Sequence, residues 1–207
     1  MAHRTIRLLL LTCVLVAVGC EASKTTRGTG PYHTIREENR DPYLAQQLNM
    51  RAASLLETDP EEAKRLLGEA LTADIYFGPA HNNLGVLHLQ QGRLYEAANE
   101  FEWARKLMPG HPDPRMNLAM TLERAGRIED ALATYRTAIE VYPEHMPSIQ
   151  AMTRLELRHH RTTESTYRNL GLVALRGESS EWRDWARFQM SKWNPSRSGM
   201  KSDIDYH

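Results

Sequence analysis

Two cysteines, nine histidines and a set of regularly spaced asparagines are the residues of this 207-residue chain whose types could do chemistry. Cys13 and Cys20 lie in one apolar stretch, too few and too close together to staple a small fold. Cys20 closes that stretch, and a thiol there can be alkylated by a lipid donor to form a stable thioether. His111 and His145 stand 34 residues apart and His159-His160 form a pair, yet no His-Glu-x-x-His or Cys/His ligand spacing occurs. No metal site is therefore expected. A glycine-rich phosphate loop and a Gly-x-Ser-x-Gly elbow are also missing, so no catalytic residue and no soluble cofactor are expected. Asn49, Asn83 and Asn117 recur every 34 residues. One amide both donates and accepts, so each could bond a carbonyl and an N–H at once.

The residues around Cys20 read as an address. Arg4 and Arg7 precede an apolar run over residues 8–19, and small residues lead up to the cysteine. A basic start, a short apolar core and a small-residue exit make a secretory signal peptide. The run is too short to span a bilayer, which takes about 20 residues. Residues 17–20, Ala-Val-Gly-Cys, resemble the lipobox of bacterial lipoproteins, with Ala17 where Leu is commonest. That resemblance implies loss of residues 1–19, with Cys13 among them, and a diacylglyceryl group plus an amide-linked acyl chain on Cys20. Several acyl chains are what stable anchoring requires. The mature chain would have 188 residues, with 24 basic and 26 acidic side chains. Lipid rather than a basic patch would then hold it to the membrane. Glu21 is not the Asp that marks inner-membrane retention in some bacteria, which favours the outer membrane, facing the periplasm. Residues 20–42 read as the lipidated N-terminus and a flexible tether, reaching on the order of 25 Å as a random coil.

A 34-residue period organises the rest of the chain. Leu84 matches Leu118, Gly85 matches Ala119, Gly92 matches Gly126 and Ala97 matches Ala131. Phe101 matches Tyr135, Ala104 matches Ala138 and Pro109 matches Pro143. This series resembles the tetratricopeptide repeat, a helical hairpin. The small residues let two helices approach, and the aromatic fills the space beside their contact. Gly92 and Gly126 would supply left-handed residues after the first helix, and Pro109 and Pro143 would stop the second. A third copy lies upstream, with Ala63, Leu67 and Ala70 in register and a helix start at Asp59-Pro60-Glu61-Glu62. The fold class expected is all-α: a solenoid of three repeats (44–77, 78–111 and 112–145, spanning 43–145) with a C-terminal cap. Residues 146–193 read as a degenerate repeat or plain cap: a hairpin over 149–160 and 163–176, then a terminal helix over 180–193. Ser165 and Asn169 stand there where Ala and an aromatic are expected. Trp182, Trp185 and Trp193 share one face of the last helix, as a shield for the stack end or as a homodimer contact. Residues 194–207 read as a frayed tail.

Stacked hairpins curl, and their first helices line the concave side. The resemblance implies that Asn49, Asn82, Asn83, Met116, Asn117, Met120, Arg124 and Arg154 form a peptide-binding groove. Methionine adapts to varied partners, and arginine pairs with carboxylates in a fork. The lysines that chaperone-binding relatives use to grip a terminal carboxylate are missing.

Composition sets the outer limits. Twenty-six basic and 26 acidic side chains balance, which excludes a protein held to nucleic acid by bulk charge. A mean hydropathy of −0.56 excludes a multi-span membrane protein. The expected function is a lipid-anchored, non-catalytic scaffold for proteins or extended peptides in the bacterial envelope. The alternatives are a pilot lipoprotein for a pilus or secretion pore, and an enzyme of unrecognised type.

Overall fold

In the computed structural model, residues 40–192 are described, and their regular structure is helical throughout with no strand among them. Cys20, Trp193 and the tail over 194–207 lie outside the described residues. The helices are α1 (Pro42–Ala53), α2 (Pro60–Ala73), α3 (Gly78–Gln90), α4 (Leu94–Leu107), α5 (Asp113–Arg124), α6 (Ile128–Val141), α7 (Met146–Arg158), α8 (Glu164–Arg176) and α9 (Ser180–Ser191).

Local chemistry starts α1 and α2. Asp41 and Asp59 accept from the backbone N–H groups of Leu44 and Glu62, at 2.9 and 3.2 Å, and a proline follows each aspartate. Such a cap satisfies an otherwise orphaned donor, and proline loses nothing in the first turn. Residues 40–42, expected in the tether, thus belong to the fold. Gly92 and Gly126 end α3 and α5 with φ of 72° and 76°. Only glycine adopts this region without a steric cost.

Packing follows the period. Helices α1 to α8 pair in sequence as four hairpins, α9 packs on α8, and first helices of neighbouring hairpins also touch, α1 with α3 and α3 with α5. Ala97, Phe101 and Ala104 in α4 are fully buried, as are Ala131, Tyr135 and Ala138 in α6. A Cβ placed on Gly85 would meet the Phe101 ring at 2.7 Å, so the aromatic occupies the space glycine leaves.

The fourth hairpin is where the 34-residue alignment misleads. Thr153 in α7 takes the position of Gly85 and Ala119 and is fully buried. In α8 the buried residues are Thr166, Leu170, Val173 and Ala174, whereas Leu172, in 34-residue register with Ala138, is 39% exposed. Thr166, Leu170 and Val173 keep the spacing of Ala131, Tyr135 and Ala138, shifted by 35 residues. One extra residue between α7 and α8 therefore moves the inward face off Ser165 and Asn169. The helix restarts at Thr163, which shares a capping box with Thr166.

His160 sits one period after Gly126 and is the sole described non-glycine residue with positive φ, at 55°. A side chain in that region costs about 1–2 kcal/mol. His160→Gly is expected to stabilise the protein by about 1 kcal/mol and raise Tm by about 2–4 °C. Thermal unfolding followed by circular dichroism measures this; an unchanged or lower Tm counts against the turn.

The terminal helix closes the stack. Ala186 is fully buried, and Trp182 and Trp185 meet edge to face at 5.2 Å while packing on Ile149, Leu170 and Val173. Both indoles thus cover the last hairpin's core.

Candidate functional site

The asparagines line the first helices but are engaged with one another. Asn83 Nδ2 donates to Asn49 Oδ1 at 2.9 Å, and Asn117 Nδ2 donates to Asn82 Oδ1 at 3.0 Å. Asn49 is buried, so it stitches α1 to α3 and is withdrawn from a ligand. Asn82, Asn83 and Asn117 remain half-buried. Each keeps amide capacity beyond these bonds, since one amide offers two donors and two lone pairs.

The other groove residues divide similarly. Met116 and Met120 are half-buried and pack against Ala119, Leu132, Tyr135 and their neighbours. Arg124 donates to the Leu89 carbonyl at 3.0 Å, closing the C-terminal turn of α3, where a cation also meets the negative end of the helix dipole. Arg154 lies 3.8 Å from Glu123, and Arg158 reaches the same carboxylate oxygen at 3.0 Å. The Tyr135 hydroxyl donates to the other Glu123 oxygen at 3.3 Å. Burial first, and then the Glu123 charge, push the Tyr135 hydroxyl well above its ordinary range, so it stays a donor. Glu123 therefore organises the α5–α7 end of the face. Composition and periodicity did not single it out, because Leu89 and Leu157 hold its place in neighbouring repeats.

Two further clusters were not apparent from spacing. His81 is buried between Glu100, 2.7 Å from Nδ1, and the Ile75 carbonyl, 2.8 Å from Nε2, with Trp103 stacked on its ring at 5.9 Å. His111 and His145, the repeat equivalents, converge on Asp113, at 3.5 and 3.0 Å. Among the described residues no group of three His, Cys, Asp or Glu side chains is placed to hold a metal ion.

A cleft of about 420 Å³ lies between α4, α5 and α6. Leu118, Leu122, Ala98 and Ala133 supply its apolar lining, and Tyr95, 78% exposed, stands on its rim.

Comparison with known proteins places this architecture. Two tetratricopeptide-repeat family models match the sequence, one over residues 57–112 and the other over 88–155. A search of the curated proteins found no match. Among solved structures, the first tetratricopeptide domain of Spaghetti (RPAP3), bound to an HSP90 peptide, aligns with a TM-score of 0.55 at 14% identity. The match covers 59% of this chain and 98% of that one. A tetratricopeptide repeat protein from Parabacteroides merdae aligns with a TM-score of 0.59 at 19% identity, over 72% of this chain and 60% of its own. An O-GlcNAc transferase from Thermobaculum terrenum aligns with a TM-score of 0.56 at 22% identity, covering 75% of this chain but 27% of the enzyme. These likenesses concern the fold, and the transferase's activity belongs to a protein nearly four times longer than the match. Tetratricopeptide-repeat models thus match within residues 57–155, and the described residues fold as a helical solenoid like that of tetratricopeptide-repeat proteins.

Proposed function

We propose that this chain is a lipid-anchored scaffold of the bacterial envelope, which captures extended segments of partner proteins along its first helices. The observation that carries the capture role is the row of half-buried polar and thioether side chains, Asn82, Asn83, Met116, Asn117 and Met120, on consecutive repeats. Tetratricopeptide repeats are in general non-catalytic interaction modules, and the Spaghetti domain was solved with a peptide bound. The anchoring role rests on the lipobox resemblance at Cys20, with the outer membrane favoured by Glu21. Tethering raises a bound partner's effective concentration near the bilayer, which needs no chemistry from the scaffold.

Cys20→Ser is expected to move the protein from the membrane to the soluble fraction. Fractionation with detection of the chain measures this, and retention in the membrane would remove the anchor. The pilot reading differs in outcome: deleting a pilot abolishes assembly of a multimeric pore, whereas deleting a scaffold disperses its partner and leaves the pore intact.

A further inference from the structure

The first helix of the fourth hairpin carries cations that its own acids do not balance. Arg154 and Arg158, one turn apart on α7, share the single carboxylate of Glu123. The buried Nε of Arg154 finds no acceptor among the described residues. One turn earlier Gln150 is 2% exposed, and its Nε2 is likewise without an acceptor. Arg124, next to Glu123, is engaged with the uncharged Leu89 carbonyl, which adds a further positive charge to this end of the face. Beside Arg154 lies a cavity of about 280 Å³ lined by Ser179, Glu181, Trp182 and Trp185. The Arg154 guanidinium stands 6.0 Å from the Trp182 ring centre. Glu181 is the one acid in that lining, and its carboxylate lies in the first turn of α9, where negative charge is already favoured.

The geometry points to a binding site for an acidic, internal segment of an extended partner chain, with carboxylates at alternate residues seated on Arg154 and Arg158 and an adjacent apolar side chain in the Trp182–Trp185 cavity. This deepens the capture reading and rests on it. Spacing favours alternate residues. Side chains four apart on a helix lie about 5–6 Å from each other. Side chains two apart on an extended strand lie about 6.6 Å from each other on one face. A Glu-x-Glu segment therefore presents one carboxylate to each guanidinium, where Glu123 alone divides one carboxylate between the two. Each such pair is a charge-assisted, fork-shaped contact. The indoles are the large, rigid side chains that dominate interface energetics.

The test uses the full chain in detergent and a fluorescein-labelled decapeptide of alternating Glu and Leu with an amidated C-terminus, titrated by fluorescence anisotropy. Saturable binding that weakens with salt is expected, with no binding of the Lys-Leu counterpart. Arg158→Gln, at an exposed position, and Arg154→Gln are each expected to weaken binding about tenfold while circular dichroism is unchanged. Equal binding of the acidic and basic peptides would overturn the proposal, as would full affinity in folded arginine variants. A requirement for a free C-terminus overturns it as well. Binding seen only after removal of residues 194–207 would make the chain's own Asp203 and Asp205 the occupant, and the proposal would fall. Partner crosslinking along the first helices without acidic-peptide binding would leave the capture role standing and remove this site alone.

Discussion

Gly85→Leu is expected to destabilise the second hairpin by about 1–3 kcal/mol, the ordinary cost of overpacking a core. A Cβ alone would already stand 2.7, 2.8 and 3.0 Å from three atoms of the Phe101 ring. Phe101 is fully buried and cannot swing into solvent, so either the ring leaves its place or α3 and α4 move apart. Two controls isolate the cause. Gly68, mid-helix in α2, has nothing within 4 Å of the point where a Cβ would stand, so Gly68→Ala is expected to stabilise by about 0.5–1 kcal/mol. Combining Gly85→Ala with Phe101→Leu should cost less than the two single changes added together, since both act on one contact. Chemical denaturation measures all of these, and a Gly85→Leu protein as stable as the parent would refute the hairpin register.

The second large effect lies at the front of the stack. Asp74, 2% exposed at the end of α2, accepts from Arg40 Nε at 2.8 Å and Arg40 Nη2 at 3.0 Å, and from the Tyr76 N–H at 3.0 Å. Arg40 also lies 4.9 Å over the Tyr76 ring. Asp74→Asn keeps the shape but turns one acceptor into a donor facing a guanidinium. A loss of about 2–3 kcal/mol is expected, since the buried side chain gives up charge-assisted bonds from Arg40 and gains an amide donor with no acceptor. For a domain of this size that is a Tm drop of about 4–12 °C. The pH dependence has a definite sign. Burial by itself would raise the Asp74 carboxyl, but the Arg40 hydrogen bonds, the Tyr76 N–H and the Arg40 charge outweigh it and hold the carboxyl below its ordinary range. Its stabilisation is therefore present above the unfolded carboxylate range, near pH 4, and is lost as pH falls through the lower folded value. The gap between parent and Asp74→Asn should be full at pH 7 and shrink below about pH 4. A gap that is constant with pH would show that the carboxylate charge is not the cause.

The period was enough to place Gly85 against Phe101 and the left-handed glycines after α3 and α5, because these residues answer to steric constraints that allow few side chains. The fourth hairpin was harder to read. A single inserted residue leaves the sequence similar by eye but rotates α8 by about 100° relative to the fixed register, so Ser165 and Asn169 look like failed core residues while Thr166 and Leu170 do the packing. The asparagines show a different difficulty. Residues one period apart are neighbours on adjacent helices, so a recurring Asn is equally consistent with contact to a ligand and contact to the next Asn. Asn83 with Asn49 shows that the second relation holds here. Arg40 with Asp74, and Glu123 with Arg158, are also about one period apart, and this spacing of opposite charges was a signal that pairing across repeats could have used.

One crosslinking measurement bears most directly on tethered capture along the first helices. A photoreactive amino acid is placed at Met116, on the first helix α5, and separately at Tyr95, exposed on the second helix α4, and cells are irradiated intact. Discrete protein adducts from Met116, recovered in the membrane fraction and absent from Tyr95, are the predicted result. Adducts of the same identity and yield from both positions, or none from Met116, would contradict capture along that face.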